Sequence, residues 1–191
     1  MFSRDNPTCS NGFTLVEIAI TLVIIGLLLS GTLKAQELIH SAQINRAIED
    51  LKNFQVAYWS YRDRMGEIPG AMNSHSGRLY KVTSDEPTSS GEHRFFYEIH
   101  DQGFIKQKRL VPDSAIGDVY QVAYGSTANV DTHNNATIEN KNQVCASGLK
   151  DPDMARQLDN KLDDGAYDDG NVRADEDYES EDISIVCLAL D

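Results

Sequence analysis

The sequence predicts an α+β protein: one long N-terminal helix whose second half packs on a C-terminal antiparallel β-sheet. Three observations lead there. An apolar run from Phe13 to Leu33 passes, with no proline before Pro69, into an amphipathic stripe reaching Met65. A glycine-, serine- and proline-rich stretch then breaks the helical period. Short segments follow, the clearest being Ile183 to Leu190, in which Ile183, Ile185, Cys187 and Ala189 share one face at strand spacing.

The apolar run sets the first element. Its 21 residues, Phe13 to Leu33, contain one ionisable side chain, Glu17. At helical rise they reach roughly 31 Å, close to the ~30 Å hydrocarbon core of a bilayer. A carboxylate in that medium costs about 2.5–3.5 kcal/mol on insertion scales, so Glu17 calls for a partner. A secretory signal peptide fits poorly. Arg4 is offset by Asp5, the apolar run is too long, and it continues as a helix where a small-residue cleavage site is expected. A plain transmembrane anchor accounts for the length but not for Glu17 beside a Gly-Phe junction.

After Lys34 the pattern turns amphipathic. Ile44, Ile48, Leu51, Phe54, Tyr58, Tyr61 and Met65 recur at steps of three and four, with Arg46, Glu49, Asp50, Lys52, Arg62 and Asp63 between them. Gly66 is the natural stop. The stripe is read as core, and so are Tyr58, Trp59 and Tyr61, although such rings also stack on sugars. Residues 66–91, with Ile68-Pro69-Gly70 and Thr88-Ser89-Ser90-Gly91, read as a connecting loop. Glu92 to Gln102 is a short helix with Phe95, Phe96, Tyr97 and Ile99 on its apolar face and Gly103 as its stop. Strands are expected at Val119 to Tyr124, Thr137 to Cys145 and Ile183 to Leu190. Asp151 caps a helix reaching Leu162, Pro152 suits its first turn, and Met154, Leu158 and Leu162 form its buried edge.

Composition narrows the function. The formal charge of the 191 residues is −13, which argues against nucleic-acid binding, since that requires basic patches. His40, His75, His93, His100 and His133 are scattered without metal-ligand spacing. There is no HExxH, no GxSxG and no phosphate-binding glycine loop. No enzyme activity and no firm cofactor follow from the sequence, and an exported hydrolase would need a catalytic cluster that it does not display. Asn135-Ala136-Thr137 fits the glycosylation pattern, a signal of low specificity.

The stretch Gly12-Phe13-Thr14-Leu15-Val16-Glu17 resembles the prepilin signature of type IV pilins and type II secretion pseudopilins, with Gly12, Phe13, Thr14, Leu15 and Glu17 matching position by position. The resemblance implies a pilin fold. It implies a prepilin peptidase that cuts between Gly12 and Phe13, N-methylation of the new Phe13 amine, and a role for Glu17 in assembly, where its carboxylate meets the amine of an adjacent subunit. It divides the chain into a leader (1–12), a transmembrane or filament-core half-helix (13–33), an amphipathic half-helix (34–66) and a head domain (67–191). The implied partners are other pilin or pseudopilin subunits, the peptidase, an inner-membrane assembly platform and the membrane itself. The implied location is the bacterial inner membrane, single-pass with the C-terminus outside the cytoplasm, then a periplasmic or cell-surface filament. The rival reading is a membrane-tethered exported binding module that never polymerises.

Two further expectations come with the resemblance. Cys9 leaves with the leader, so Cys145 and Cys187 remain, and an exported domain with two cysteines favours a disulfide over a metal site or nucleophile. Relatives commonly close a C-terminal loop region in this way, and the alternative is two unpaired buried thiols. Some pseudopilins bind calcium in a C-terminal loop. Here Asp163-Asp164-Gly165 and Asp168-Asp169-Gly170 place oxygens around tight turns, so Asp163, Asp164, Asp168 and Asp169 are the candidate calcium ligands. The spacing is not an EF-hand, and the competing reading is a solvated acidic face: Asp151 to Asp182 holds 13 acids against Arg156, Lys161 and Arg173. One departure concerns the helix. Many relatives carry a proline where this chain has Lys34, so a bend is expected to be absent or moved to Gly26, Ser30 and Gly31.

Overall fold

The computed structural model describes residues 12–71, 77–79, 94–106, 111–125, 138, 140–149 and 151–191, apart from the side chains of Leu33 and Arg94. The leader before Gly12, Thr88 to Gly91, Glu92, His75, His93, His133, Asn135 to Thr137 and the first residue of the second expected strand lie outside the described residues. The order is α1 (Leu15–Met65), α2 (Arg94–Asp101), β1 (Val119–Tyr124), β2 (Asn142–Ser147), α3 (Pro152–Leu162), β3 (Val172–Ala174) and β4 (Ile185–Ala189). This is the expected long helix packed on a C-terminal antiparallel sheet, an α+β arrangement of pilin type. The chain forms two units that divide between His40 and Ser41.

In the first unit α1 is continuous through Gly26, Ser30, Gly31 and Lys34. The hydroxyls of Thr21 and Thr32 donate to the carbonyls of Ile18 and Leu29, at 2.8 and 2.9 Å, so neither leaves an unpaired donor on the apolar surface. Every described side chain from Phe13 to Thr32 is exposed. The helix is long and apolar enough to cross a membrane, and none of its most apolar window (mean hydropathy 2.3) is buried within the chain.

Burial begins in the second unit. Ile44, Ala47, Leu51, Phe54, Ala57, Tyr58 and Tyr61 form the buried face of α1, with Ile48 half-buried. Met65, expected on this stripe, is 39% exposed because Gly66, at φ +77°, turns the chain away after the last helical turn. Phe54 stands at the centre, its ring edge-on to Phe96 and Tyr120 at 5.2 Å each. Phe95, Phe96 and Ile99 of α2 are buried. Tyr97 is not: at 49% exposure it faces away, since a helix turns each residue by 100° and the other three already fill the inner face. Polar bonds fix the register of helix on sheet. Gln55 Nε2 donates to the Ala189 carbonyl at 2.9 Å, Tyr120 Oη to Asp50 Oδ2 at 3.3 Å, and buried Asn142 Nδ2 to Tyr58 Oη at 3.0 Å.

The sheet order is β1-β2-β4-β3, with every pair antiparallel. Two expected strands shift. The second starts at Asn142 because Asn140 (φ +57°) makes a turn just before it, and it runs past Cys145 to Ser147, where Gly148 (φ +71°) ends it. The third is shorter, Ile185 to Ala189. Its faces also need correcting. Val186 and Leu188 face the main core, which Ile183 also joins, whereas Ile185 and Cys187 lie on the opposite face with Ala123 and Cys145. Both faces of this central strand are buried, so alternation alone could not say which one meets the helix. The sequence reading did not include β3, an edge strand of three residues. Beside β1, at the other edge, Tyr120 N donates to the Pro112 carbonyl at 2.8 Å and Asp113 bridges Val119.

Gly70 joins the end of α1 to α2. Its φ is +69°, its N–H donates to Glu98 Oε2 at 2.8 Å, and a Cβ there would stand 2.7 Å from Phe95 N. Gly66 shares the positive φ, but a Cβ there meets nothing within 4 Å. Gly70→Ala should therefore cost about 1–3 kcal/mol from overpacking in addition to the backbone strain. Gly66→Ala should cost only the strain. Thermal melts of the two variants should rank wild type above Gly66→Ala above Gly70→Ala.

Candidate functional site

The N-terminal site is a helix start. α1 begins at Leu15, so Thr14 is its N-cap residue, and the Thr14 carbonyl accepts the first intrahelical bond, from Ile18 N at 3.3 Å. Three bonds tie Thr14 to Glu17. Glu17 N donates to Thr14 Oγ1 at 3.2 Å, Thr14 N donates to Glu17 Oε2 at 3.0 Å, and Thr14 Oγ1 donates to the same oxygen at 2.9 Å. The arrangement is a capping box, in which each side chain satisfies the orphan N–H group of the other residue. It has a particular value on an apolar helix, because an unpaired N–H in hydrocarbon costs several kcal/mol. Gly12 and Phe13 precede the cap outside the helix, with Phe13 83% exposed.

Residues 8–33 match the family described as the prokaryotic N-terminal methylation motif. The methylation motif thus spans the junction Gly12-Phe13, the capping box and the apolar half of α1. No curated protein and no solved structure matches the chain. Thr14 figured in the sequence reading as a motif position without a physical role. The signal for that role, a threonine three residues before a glutamate at the start of an apolar run, is local and sufficient.

The acidic segment holds a second cluster. Oxygens of Asp159, Asp163 and Asp164 lie within 4.8 Å of one another. Asp168 and Asp169, expected to complete this group, do not join it: Asp169 Oδ1 accepts from Gly170 N at 2.7 Å and stands 3.9 Å from Arg173 Nη2. Gly165, at positive φ, turns the chain between the two acid pairs, and Gly170, also at positive φ, follows the second. Asp159, which the sequence reading did not single out, occupies the place instead. It is fully buried on α3, Tyr178 Oη donates to its Oδ2 at 2.7 Å, and its Oδ1 has no hydrogen-bond partner. Asp163 Oδ2 is already bonded to the N–H groups of Asn171 and Val172. Three carboxylates around one unsatisfied buried oxygen suit a hard divalent cation, so the cluster can in principle coordinate one.

Cys145 and Cys187 face each other directly across β2 and β4 and are bonded as a disulfide. The side chains lie on the sheet face away from α1, in a cluster with Ala123 and Ile185. His40 and His100 belong to different units and form no metal cluster among the described residues.

Burial pushes the Asp159 carboxyl above its usual range, partly offset by the Tyr178 hydroxyl bond. Because its folded value lies above the unfolded ~3.9, its stabilising contribution is complete below the unfolded value and is lost as pH rises through the folded one. Asp159→Asn keeps an acceptor for Tyr178 and removes the buried charge. The variant should melt higher than wild type at pH 7 in chelator, and its stability should fall less steeply between pH 4 and 7. Asp50, also raised by burial, retains part of that slope.

Proposed function

We propose that the chain is a structural subunit of a type IV pilus-like filament or a type II secretion pseudopilus. It is made as a membrane-anchored precursor, cut between Gly12 and Phe13 by a prepilin peptidase and methylated on the Phe13 amine. The carrying observation is the coincidence, within residues 8–33, of a methylation motif, an exposed apolar helix and one carboxylate three residues into that helix. On this reading residues 1–12 are the leader, 13–33 the membrane and filament-core segment, 34–66 the amphipathic half-helix and 67–191 the head. Cutting turns the Phe13 amide nitrogen into an ammonium. In a bundle of such helices that ammonium and the Glu17 carboxylate of an adjacent copy neutralise one another, since either charge alone would be penalised. The pair then sets the axial register of packing, a known use of buried ionic groups. The chain is a substrate of the peptidase and a building block, not a catalyst, and its remaining partners are the inner-membrane assembly platform and its own kind.

Intact-mass measurement of the protein from cells with an active prepilin peptidase tests this. The expected mass corresponds to a chain beginning with N-methyl-Phe13; an intact Met1 would instead leave a tethered module that does not polymerise. Glu17→Ala should still be inserted and cut but should give at least ten-fold fewer filaments. Normal filament yield from that variant rejects the role of Glu17 in assembly.

Calcium is the cation proposed for Asp159, Asp163 and Asp164, because carboxylates around a turn match its preference for hard oxygen ligands. Millimolar calcium should raise the melting temperature of the wild type and leave Asp159→Asn unmoved, while Asp168→Asn with Asp169→Asn keeps the rise. An unshifted wild type rejects the site.

A further inference from the structure

Of the aromatic residues Tyr58, Trp59 and Tyr61, helix–sheet packing accounts for two. Tyr58 and Tyr61 are buried in the core, whereas Trp59 is 45% exposed. Lys52, Gln55 and Trp59 recur at steps of three and four along α1 and so share one side of it. They line a groove of about 320 Å³. Lys141, just before β2, and Asn171, just before β3, line it as well, together with Leu190 and Asp191 after β4. We infer that this groove binds one ring of a neutral carbohydrate, with the Trp59 indole against the C–H groups of the sugar and amide and ammonium groups around its hydroxyls. The site lies wholly in the second unit and does not depend on whether the chain polymerises.

A sugar ring is amphipathic: its faces carry C–H groups, and its rim carries hydroxyls that both donate and accept. A complementary site needs an aromatic surface and several polar groups with unused hydrogen-bonding capacity. The groove has both. The indole is held in place, with the Arg62 guanidinium over its ring at 4.9 Å and Tyr58 edge-on at 5.6 Å. Little side-chain freedom then remains to be lost on binding. The Trp59 N–H and the Lys52 ammonium have no hydrogen-bond partner among the described residues. Gln55 Nε2 donates to the Ala189 carbonyl at 2.9 Å, which orients the amide and leaves Oε1 as an acceptor. Lys141 Nζ donates to Asn171 Oδ1 at 3.2 Å, which leaves the Asn171 amide protons and the remaining lysine protons as donors. The charges favour a neutral ligand. Lys52 and Lys141 share the lining with Asp191, whose carboxylate is held by Asn142 N at 2.8 Å and Asn142 Nδ2 at 3.1 Å. That fixed negative charge offsets one lysine and disfavours an anion. The volume is near the lower end of small-molecule sites, ~300–1,000 Å³, and suits a single ring.

Trp59 is the single tryptophan of the chain, so intrinsic tryptophan fluorescence reads this groove alone. The full chain, in micelles of a detergent without a sugar headgroup, is titrated with glucose, galactose and N-acetylglucosamine, and with glucuronate as a charged counterpart. At least one neutral sugar is expected to shift the emission saturably at millimolar concentration. Asn171→Ala and Lys52→Ala, both at exposed side chains, are each expected to weaken that sugar by roughly two- to ten-fold, the loss of one hydrogen bond, with the melting temperature unchanged. Trp59→Leu, followed by saturation-transfer NMR because the fluorophore is gone, is expected to lose the binding. Tyr97→Ala removes an exposed aromatic outside the groove and is expected to keep it. Emission unmoved by every neutral sugar overturns the inference. So does a response to glucuronate alone, which makes the groove an anion site. Magnetisation transfer to the sugar that survives in Trp59→Leu overturns it as well. None of these results bears on the cut after Gly12 or on calcium.

Discussion

A single carboxylate placed three residues into an exposed apolar helix is the constraint around which this protein is organised. In hydrocarbon a charge and an open helix end are both costly, and the chain addresses them with the same residue. Glu17 and Thr14 complete one another's hydrogen bonds, so two of the open N–H groups at the helix end are satisfied within the chain. The apolar half of α1 is exposed among the described residues, and on the proposed reading its surface is left to lipid or to other copies.

The second half of α1 faces a different requirement. It lies in a unit with its own core, where Phe54, Phe96 and Tyr120 meet edge to face. Apolar packing alone would tolerate sliding by a helical turn. Directional bonds from Asp50, Gln55 and Tyr58 to the sheet and to Asn142 remove that freedom. The disulfide sits on the far side of the sheet and ties its two central strands. Closing a loop of that length typically contributes about 2–4 kcal/mol, which matters to a unit this small.

What could be read in the sequence was what local chemistry writes into contiguous residues. The methylation motif, the long helix, the Asp151 cap with Pro152 behind it and the glycine stops at Gly66 and Gly103 each depend on neighbours a few positions away. What could not be read depends on distance. Asp159 matters because Tyr178, nineteen residues on, folds over it and buries it. β3 is three residues within an acidic run and pairs only because β4 offers it an edge. The faces of β4 could not be assigned because both are covered, and Tyr97 looked apolar in a helix whose inner face was already full. Thr14 is the opposite case: its capping role is written locally, in a four-residue pattern.

The margins of the sheet carry a consequence for the proposed filament, in which many copies crowd together. An open strand edge is a template on which a second sheet can grow, the route by which crowded β-proteins coagulate. Here one margin is three residues long and carries Arg173, while the other is shielded by the stretch around Pro112 and Asp113. Copies pressed side by side are thereby discouraged from fusing through their backbones. On the proposed reading an ordered polymer would take its geometry from the greasy helices, and returning those helices to lipid would dismantle it again.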